Sequence, residues 1–195
     1  LVELGGPGTY IGYSMGGRCG LTAATANSGI VQRLVLIGAT PGIEDDAERA
    51  HRRHLDVQRA DRVEQIGVAA FLDEWLAAPL FAHLAADRQG LEHRLRNTAT
   101  GLAHSLRSCG TGNQGSLWQH LDRITIPVLV IAGELDAKFS QIGQRMVEML
   151  PNATFALIAD AGHAAHAERP DATADVIADW LAATDDHVSP QRARH

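Results

Sequence analysis

The stretch GYSMGGR, residues 12–18, decides how this chain folds. It has the pattern G-x-S-x-G, in which a short apolar strand turns sharply into a helix. Because such a turn leaves little room beside the serine, both flanking glycines, Gly12 and Gly16, are expected to be needed for their lack of a Cβ atom. The pattern predicts a nucleophile, Ser14, at the C-terminal edge of a parallel sheet, with the backbone N–H of Met15 as an oxyanion donor.

An acid candidate follows the apolar run at residues 126–132, whose β-branched residues are typical of a strand that is covered on both faces. Asp136 comes shortly after this run and is expected on a loop at the strand end. Glu134 and Asp160 compete with it for the same role. The position of Asp136 behind the strand favours it.

A base candidate follows a second apolar run, residues 154–158. His163 comes directly after this last strand and is preceded by a small residue, which favours it over His166 and the eight other histidines. The chain order serine, acid, base would bring the three side chains to one edge of the sheet. An unassisted serine is a poor nucleophile, so His163 would hold the proton of Ser14 while Asp136 orients the imidazole.

Strands and helices alternate along the rest of the chain, which predicts an α/β fold with a doubly wound, mostly parallel sheet and an inserted helical cap. Residues 1–40 and 116–184 are predicted to form the core. The core elements are expected at residues 16–28 (helix), 33–38 (strand), 126–132 (strand), 140–150 (helix), 154–158 (strand) and 171–183 (amphipathic helix).

Residues 41–115 are predicted to form the cap, which would cross the C-terminal edge of the sheet, exclude water and select the substrate. Its helices are expected at residues 44–60, 68–76 and 91–105. The polar residues 185–195 are predicted to be disordered. Residues 1–4 resemble the last turn of a helix, so we expect an upstream part of the domain, with the second oxyanion donor, to precede them.

The composition restricts the possible partners. A net charge of -6 over 195 residues argues against nucleic acid as a partner. The two cysteines, Cys19 and Cys109, have neither metal-ligand spacing nor a disulfide framework, which favours reduced thiols and a cytoplasmic location. No apolar stretch is long enough to span a membrane, and neither a metal nor a cofactor is predicted.

These motifs resemble those of the α/β-hydrolase superfamily and, more narrowly, those of the 2-succinyl-6-hydroxy-2,4-cyclohexadiene-1-carboxylate synthases of menaquinone biosynthesis. The similarity extends over nearly the whole chain. The stretches that carry it are GYSMGGR at 12–18, PGI at 41–43, ERAHRRHLD at 48–56, WLAAPLF at 75–81, LRN at 95–97, GTGNQGSLW at 110–118, GELDAKF at 133–139 and GHAAHAERP at 162–170.

The resemblance implies a lyase in which Ser14, activated by His163, removes a proton from a polycarboxylated ring and pyruvate leaves. Several carboxylates on one small-molecule substrate require cationic, preferably bidentate partners. By matching motif, the implied substrate-binding residues are Tyr13, Arg18, Arg52, Trp75 and Arg96. Leu76 departs from the family, which has an aromatic residue at that position.

Other interpretations stay open at this point. Arg52 could belong to an exposed basic face, Arg94 rivals Arg96, and Trp75 could be part of the cap core. The same triad would also serve an ordinary serine hydrolase, either a carboxylesterase or a C–C bond hydrolase. An inactive fold that acts as a binding module is a third possibility, and the oligomeric state is left open.

Overall fold

One parallel sheet of four strands organises the chain, of which the computed structural model describes residues 5–26 and 29–185. The strands are β1 (Gly8–Tyr13), β2 (Val31–Ile37), β3 (Val128–Gly133) and β4 (Ala153–Ile158), and they lie side by side in that order. Their register pairs Tyr13 with Ile37, Ile37 with Ile131, and Gly133 with Ile158. The C-terminal ends of all four strands therefore meet at one edge of the sheet.

Seven α-helices connect or follow these strands. They are α1 (Met15–Thr25), α2 (Asp46–Leu76), α3 (Leu91–Arg94), α4 (Ala99–Cys109), α5 (Ala137–Met149), α6 (Ala165–Glu168) and α7 (Pro170–Thr184). Short 3-10 helices occupy Pro79–Phe81, Ala86–Arg88, Thr111–Asn113 and Trp118–Arg123. These counts refer to the described part of the chain.

Alternate residues of the central strands face opposite sides of the sheet. In β3, Val128 and Val130 pack in a cluster with Leu21 of α1 and Met146 of α5. Their neighbours pack in a second cluster with Trp180 of α7. A strand of period two that is buried on both faces needs helices on both sides. The predicted doubly wound α/β class is confirmed.

The insertion between β2 and β3 is helical. Its longest helix, α2, is interrupted at Gly67, whose φ of 79° is a conformation that side-chain-bearing residues rarely adopt. The helices predicted at 44–60 and 68–76 correspond to the two halves of α2. Ala60, Val63, Phe71 and Ala103 form the core of this unit.

The helix predicted at 91–105 is wrong as a single element. The structure ends α3 at Arg94 and begins α4 at Ala99, with an irregular segment between them. Thr98 causes the new start because its Oγ1 accepts a hydrogen bond from the backbone N–H of Gly101, which caps α4. Residues 95–98 therefore do not continue the helical spacing on which the prediction relied.

The ends of other helices differ by a few residues from those predicted from the sequence. Helix α5 begins at Ala137 instead of 140 because Asp136 caps it, and α7 spans Pro170–Thr184. The predictions for residues 1–4, 27–28 and 186–195 lie outside the described residues. The domain boundaries at 41 and 115 stay a prediction.

The described residues also bear on membrane spanning and on the state of the cysteines. In the ranges 5–26 and 29–185 no helix has the length and apolar character that crossing a bilayer requires. Cys19 and Cys109 are free thiols. The cytoplasmic location stays a prediction.

Candidate active site

The turn between β1 and α1 holds Ser14 in a strained conformation, with φ at 47°. A Cβ atom added to Gly12 would lie 2.5 Å from the backbone of Gly16 and Gly17, so only glycine fits there. At Gly16 an added Cβ would meet nothing within 4 Å, whereas at Gly17 it would lie 2.6 Å from the Cβ of Ala39. The predicted crowding is therefore correct for Gly12 and wrong for Gly16, because the helix approaches the strand through Gly17.

Ser14, His163 and Asp136 lie in one hydrogen-bonded series. His163 Nδ1 is 2.8 Å from Asp136 Oδ2, and His163 Nε2 is 3.3 Å from Ser14 Oγ. An ionised carboxylate can only accept, so the proton of the neutral imidazole belongs on Nδ1. The Nε2 atom is then left to accept the hydroxyl proton of Ser14, which is the arrangement that general-base activation requires.

The imidazole of His163 is enclosed, with only 3% of the residue exposed. The rings of Tyr13 and Phe139 contact it, with centroids at 5.4 and 4.5 Å. Gly38 lies beside it at a φ of 54°, and a Cβ there would come 3.0 Å from the ring. Asp136 is equally constrained because its Oδ1 accepts from the backbone N–H of Phe139 at the start of α5.

The rival acids and the rival base lie outside this series. Glu134 accepts a hydrogen bond from the backbone N–H of Asp160. Asp160 is exposed and lies 3.9 Å from Arg169. The ring of His166 contacts Tyr13, with centroids at 4.4 Å, and partial desolvation of this otherwise exposed residue lowers its pKa from its ordinary value.

Two cavities open beside Ser14 and His163. The first, which we call the inner cavity, has a volume of about 270 Å³ and is lined by Met15, Arg18, Arg52 and Trp75 among others. The second, the apolar cavity, measures about 370 Å³. It is lined by Tyr13, Phe71, Trp75, Phe81, Leu102 and Arg94 among others. Burial raises the pKa of Tyr13 well above its ordinary range, so its phenol stays neutral.

Arg18 is buried in the wall of the inner cavity and has no carboxylate partner within the described residues. Its guanidinium donates to Gln114 Oε1 at 2.9 Å and to the carbonyl oxygen of Cys109 at 2.6 Å. Burial lowers the pKa of Arg18 from its ordinary value. A buried cation held by neutral acceptors keeps its positive charge directed at the cavity, where an anion would be stabilised.

Arg52 reaches the inner cavity from α2 of the helical insertion. Its Nε donates to Asp56 Oδ1 at 2.9 Å, and Arg59 donates to the same oxygen at 3.2 Å. Asp56 is only 1% exposed, and sequence analysis missed it. The spacing of Arg52 and Asp56, four residues apart on a helix, is the signal that could have revealed the pair.

Arg96 is not brought to the site. Its side chain is 69% exposed, pairs with Glu92 and lines neither cavity beside Ser14. Arg94, the rival in the sequence, lines the apolar cavity instead. The reason is the end of α3 at Arg94, which changes the direction in which the following residues project.

A second residue that sequence analysis missed is Glu168. Its carboxylate accepts from the backbone N–H groups of Gly162 and Ala164, which flank His163. No pattern in the sequence distinguishes this glutamate from others in the last third of the chain. In the ranges that the structure covers, no group of three or more His, Cys, Asp or Glu side chains could hold a metal ion.

The fold agrees with comparisons to known proteins. The chain belongs to the alpha/beta hydrolase family, whose model matches residues 1–176. A Bacillus subtilis (strain 168) protein, provisionally named 2-succinyl-6-hydroxy-2,4-cyclohexadiene-1-carboxylate synthase, is 40% identical over 179 residues. The match covers 88% of this chain and 64% of that relative. The chain thus spans slightly less than two thirds of that relative's length.

Three further proteins resemble this chain in sequence or in structure. A synthase of the same name from Salmonella schwarzengrund (strain CVM19633) is 33% identical over 173 residues, covering 88% of this chain and 67% of that protein. The solved structure of MenH from S. aureus superposes with a TM-score of 0.87 at 34% identity, covering 93% of this chain and 69% of that one. An esterase from Thermogutta terrifontis shares the fold, with a TM-score of 0.72 at 23% identity and coverage of 93% and 67%. The predicted resemblance to the synthases is confirmed.

Proposed function

We propose that this chain carries the catalytic triad and the cap of a 2-succinyl-6-hydroxy-2,4-cyclohexadiene-1-carboxylate synthase. The reaction is the elimination of pyruvate from a polycarboxylated cyclohexene. One observation carries the proposal: the series of Ser14, His163 and Asp136 opens into a cavity that Arg18 and Arg52 also line. The names of the relatives support the same reaction.

In this proposal Ser14 is the base of the reaction. Its Oγ takes a proton from a ring carbon of the substrate while its own hydroxyl proton passes to Nε2 of His163. The electron pair of the broken C–H bond moves through the ring. The pyruvate unit is attached to the ring through its enol oxygen, and the bond between that oxygen and the ring carbon breaks. The enolate of pyruvate leaves, and its methylene carbon receives the proton that His163 holds, which gives pyruvate. Asp136 stabilises the imidazolium while it exists.

The two arginines hold the substrate. Arg18 bears a charge that only neutral acceptors contact, so a bound carboxylate would offset the cost of burying it. Arg52 bonds to Asp56 through Nε alone. Within the residues described, the two terminal nitrogens of Arg52 have no hydrogen-bond partner. Each guanidinium can therefore bind a carboxylate, and Trp75 and Tyr13 would pack against the carbon skeleton. For Arg96 the proposal assigns no contact with substrate.

A second candidate is a serine hydrolase of the carboxylesterase or C–C bond hydrolase type. It is favoured by the apolar cavity, whose aromatic lining beside Ser14 would suit a neutral acyl group. In that case Ser14 attacks a carbonyl, and the backbone N–H of Met15 binds the oxyanion. The two functions differ in the charge of the substrate that they accept.

The test measures pyruvate release from the synthase substrate by the protein at its natural length. We expect Ser14→Ala to lower kcat at least about 10³-fold and Arg18→Ala to lower kcat/KM by about tenfold or more. Arg96→Ala, which removes an exposed arginine that lines neither cavity beside Ser14, should have little effect. Absence of release from the parent, together with rapid hydrolysis of p-nitrophenyl acetate, would favour the hydrolase instead.

A further inference from the structure

A third cavity adjoins the inner one. This outer cavity measures about 490 Å³ and lies between the start of α2 and the start of α5. Arg52, Lys138 and Phe139 line both the inner and the outer cavity. These three side chains therefore stand at the junction through which a ligand in the inner cavity would extend outward.

Lys138 is the single lysine of the chain, whose other basic residues are arginines and histidines. It lies in the first turn of α5, where a cation opposes the helix dipole by about 0.3–1 kcal/mol. It is exposed, and the structure gives it no carboxylate partner among the residues described. Neither helix stability nor an ion pair therefore accounts for a positive charge at this position.

The position of Lys138 relative to the triad is determined by its neighbours. Asp136, two residues earlier, caps α5 and binds His163, while the ring of Phe139, one residue later, contacts the imidazole. The backbone of Lys138 is thus held beside the triad. Its four-carbon stem can move the ammonium group along the junction of the two cavities.

The charges around the junction differ in how far they are already neutralised. Arg52 shares the buried carboxylate of Asp56 with Arg59. In the outer cavity, Arg145 binds both carboxylate oxygens of Glu44. Lys138 has no such carboxylate partner among the residues that the structure describes.

Acidic groups restrict where an anion could bind. Glu44, Asp45 and Glu48 line the outer cavity, whereas the acidic residue of the inner lining is Asp56, whose Oδ1 already accepts from Arg52 and Arg59. An anion deep in the outer cavity would meet Asp45 and Glu48, so it is disfavoured there. At the junction it would meet Lys138 and Arg52.

We propose that Lys138 binds a carboxylate of the anionic substrate at the junction of the two cavities, opposite Arg52. It is a specificity-determining residue that selects ligands with a second negative charge. The proposal rests on the proposed function in taking the ligand to be a polycarboxylate. It assigns Lys138 no part in proton transfer.

The first experiment compares Lys138→Met with Lys138→Arg in the pyruvate-release assay. We expect Lys138→Met to raise KM about tenfold and to change kcat less than about twofold, because a ground-state contact is lost. Lys138→Arg should retain most of the affinity. Arg123→Met, an exposed change near the opposite edge of the sheet, controls for the altered net charge. Equal KM values for Lys138→Met and Arg123→Met would overturn the proposal.

The second experiment does not need synthase activity. The rate of acetylation of Lys138 by an amine-directed reagent is followed by peptide mass spectrometry in succinate, or in succinamide at matched ionic strength. We expect succinate to slow the acetylation at least about threefold and succinamide to leave it unchanged, because only the dianion binds an ammonium group. Equal rates would overturn the proposal. Protection in a protein that releases no pyruvate would instead contradict only the synthase assignment.

Discussion

Glu168 binds the backbone on both sides of His163. Its Oε2 accepts from the N–H of Gly162 at 2.5 Å and its Oε1 accepts from the N–H of Ala164 at 3.0 Å. Glu168 is only 9% exposed, so both hydrogen bonds lie in a poorly solvated environment, where they are stronger than in water. The two peptide groups that flank His163 are therefore fixed by a residue that does not touch the imidazole itself.

The first prediction concerns Glu168→Gln. A glutamine has one acceptor oxygen, so one of the two N–H groups would face an amide N–H and lose its partner. We expect a fall in kcat of about tenfold or more with little change in KM, and a loss of about 1–3 kcal/mol in the free energy of unfolding. Kinetics and urea denaturation measure the two effects. The exposed change Glu148→Gln on α5 is the control, and an unaltered kcat in Glu168→Gln would contradict the positioning role.

The second prediction concerns Asp136→Asn. The single acceptor oxygen of asparagine can cap α5 through Phe139, which leaves the amide N–H₂ beside His163 Nδ1. The imidazole would then carry its proton on Nε2 and could not accept one from Ser14. We expect kcat to fall on the order of 10³–10⁴-fold with a nearly unchanged free energy of unfolding. Asp160→Asn, a change in the rival acid, should retain activity; the reverse ranking would reject Asp136 as the acid.

The third prediction compares two glycines of the same turn. Gly12→Ala would force a Cβ to within 2.5 Å of the backbone of Gly16, so we expect a loss of at least about 2 kcal/mol in unfolding free energy, or failure to fold. Gly16→Ala meets nothing within 4 Å and lies inside α1, so it should stabilise the protein by up to about 1 kcal/mol. Thermal and urea denaturation measure both. Equal effects of the two changes would contradict the geometry of the turn.

The fourth prediction concerns pH. His166 is exposed as a residue, but the packing of its ring against Tyr13 partly desolvates the imidazole and lowers its pKa, which His163 and Arg94 lower further and Glu168 raises. The imidazole of the unfolded chain then binds a proton more readily than that of the folded chain. Above the ordinary pKa of about 6.5, His166 therefore has no effect on the free energy of unfolding. As the pH falls below that value, His166 lowers the free energy of unfolding.

We expect the difference in unfolding free energy between pH values of about 7.5 and 5.5 to become smaller in His166→Asn than in the parent. Urea denaturation at the two pH values provides the measurement. His54→Asn, a change in a histidine of α2 that contacts no aromatic ring among the described residues, is the control. A larger pH dependence in His166→Asn than in the parent would show that the sign is wrong.

The positions of Ser14, Asp136 and His163 could be predicted because each lies on the loop or turn that follows the C-terminal end of a strand. In a parallel sheet the C-terminal strand ends share one edge, so position along the chain is enough to bring such residues together. The cap was harder to predict. Whether Arg94 or Arg96 faces the site depends on where α3 ends. The helix ends at Arg94, and a new helix, α4, begins after the N-cap residue Thr98.

The sequence by itself determined the α/β alternation, the strained turn at Ser14 and the three loops that carry the triad, because each depends on short-range spacing and backbone geometry. Only the tertiary structure decided which side chains from distant parts of the chain lie together. Arg18 donates a hydrogen bond to Gln114, which is 96 residues away in the sequence. Lys138 and Arg52 line the same inner cavity. Such contacts depend on the packing of distant segments, which leaves no periodic pattern along the chain.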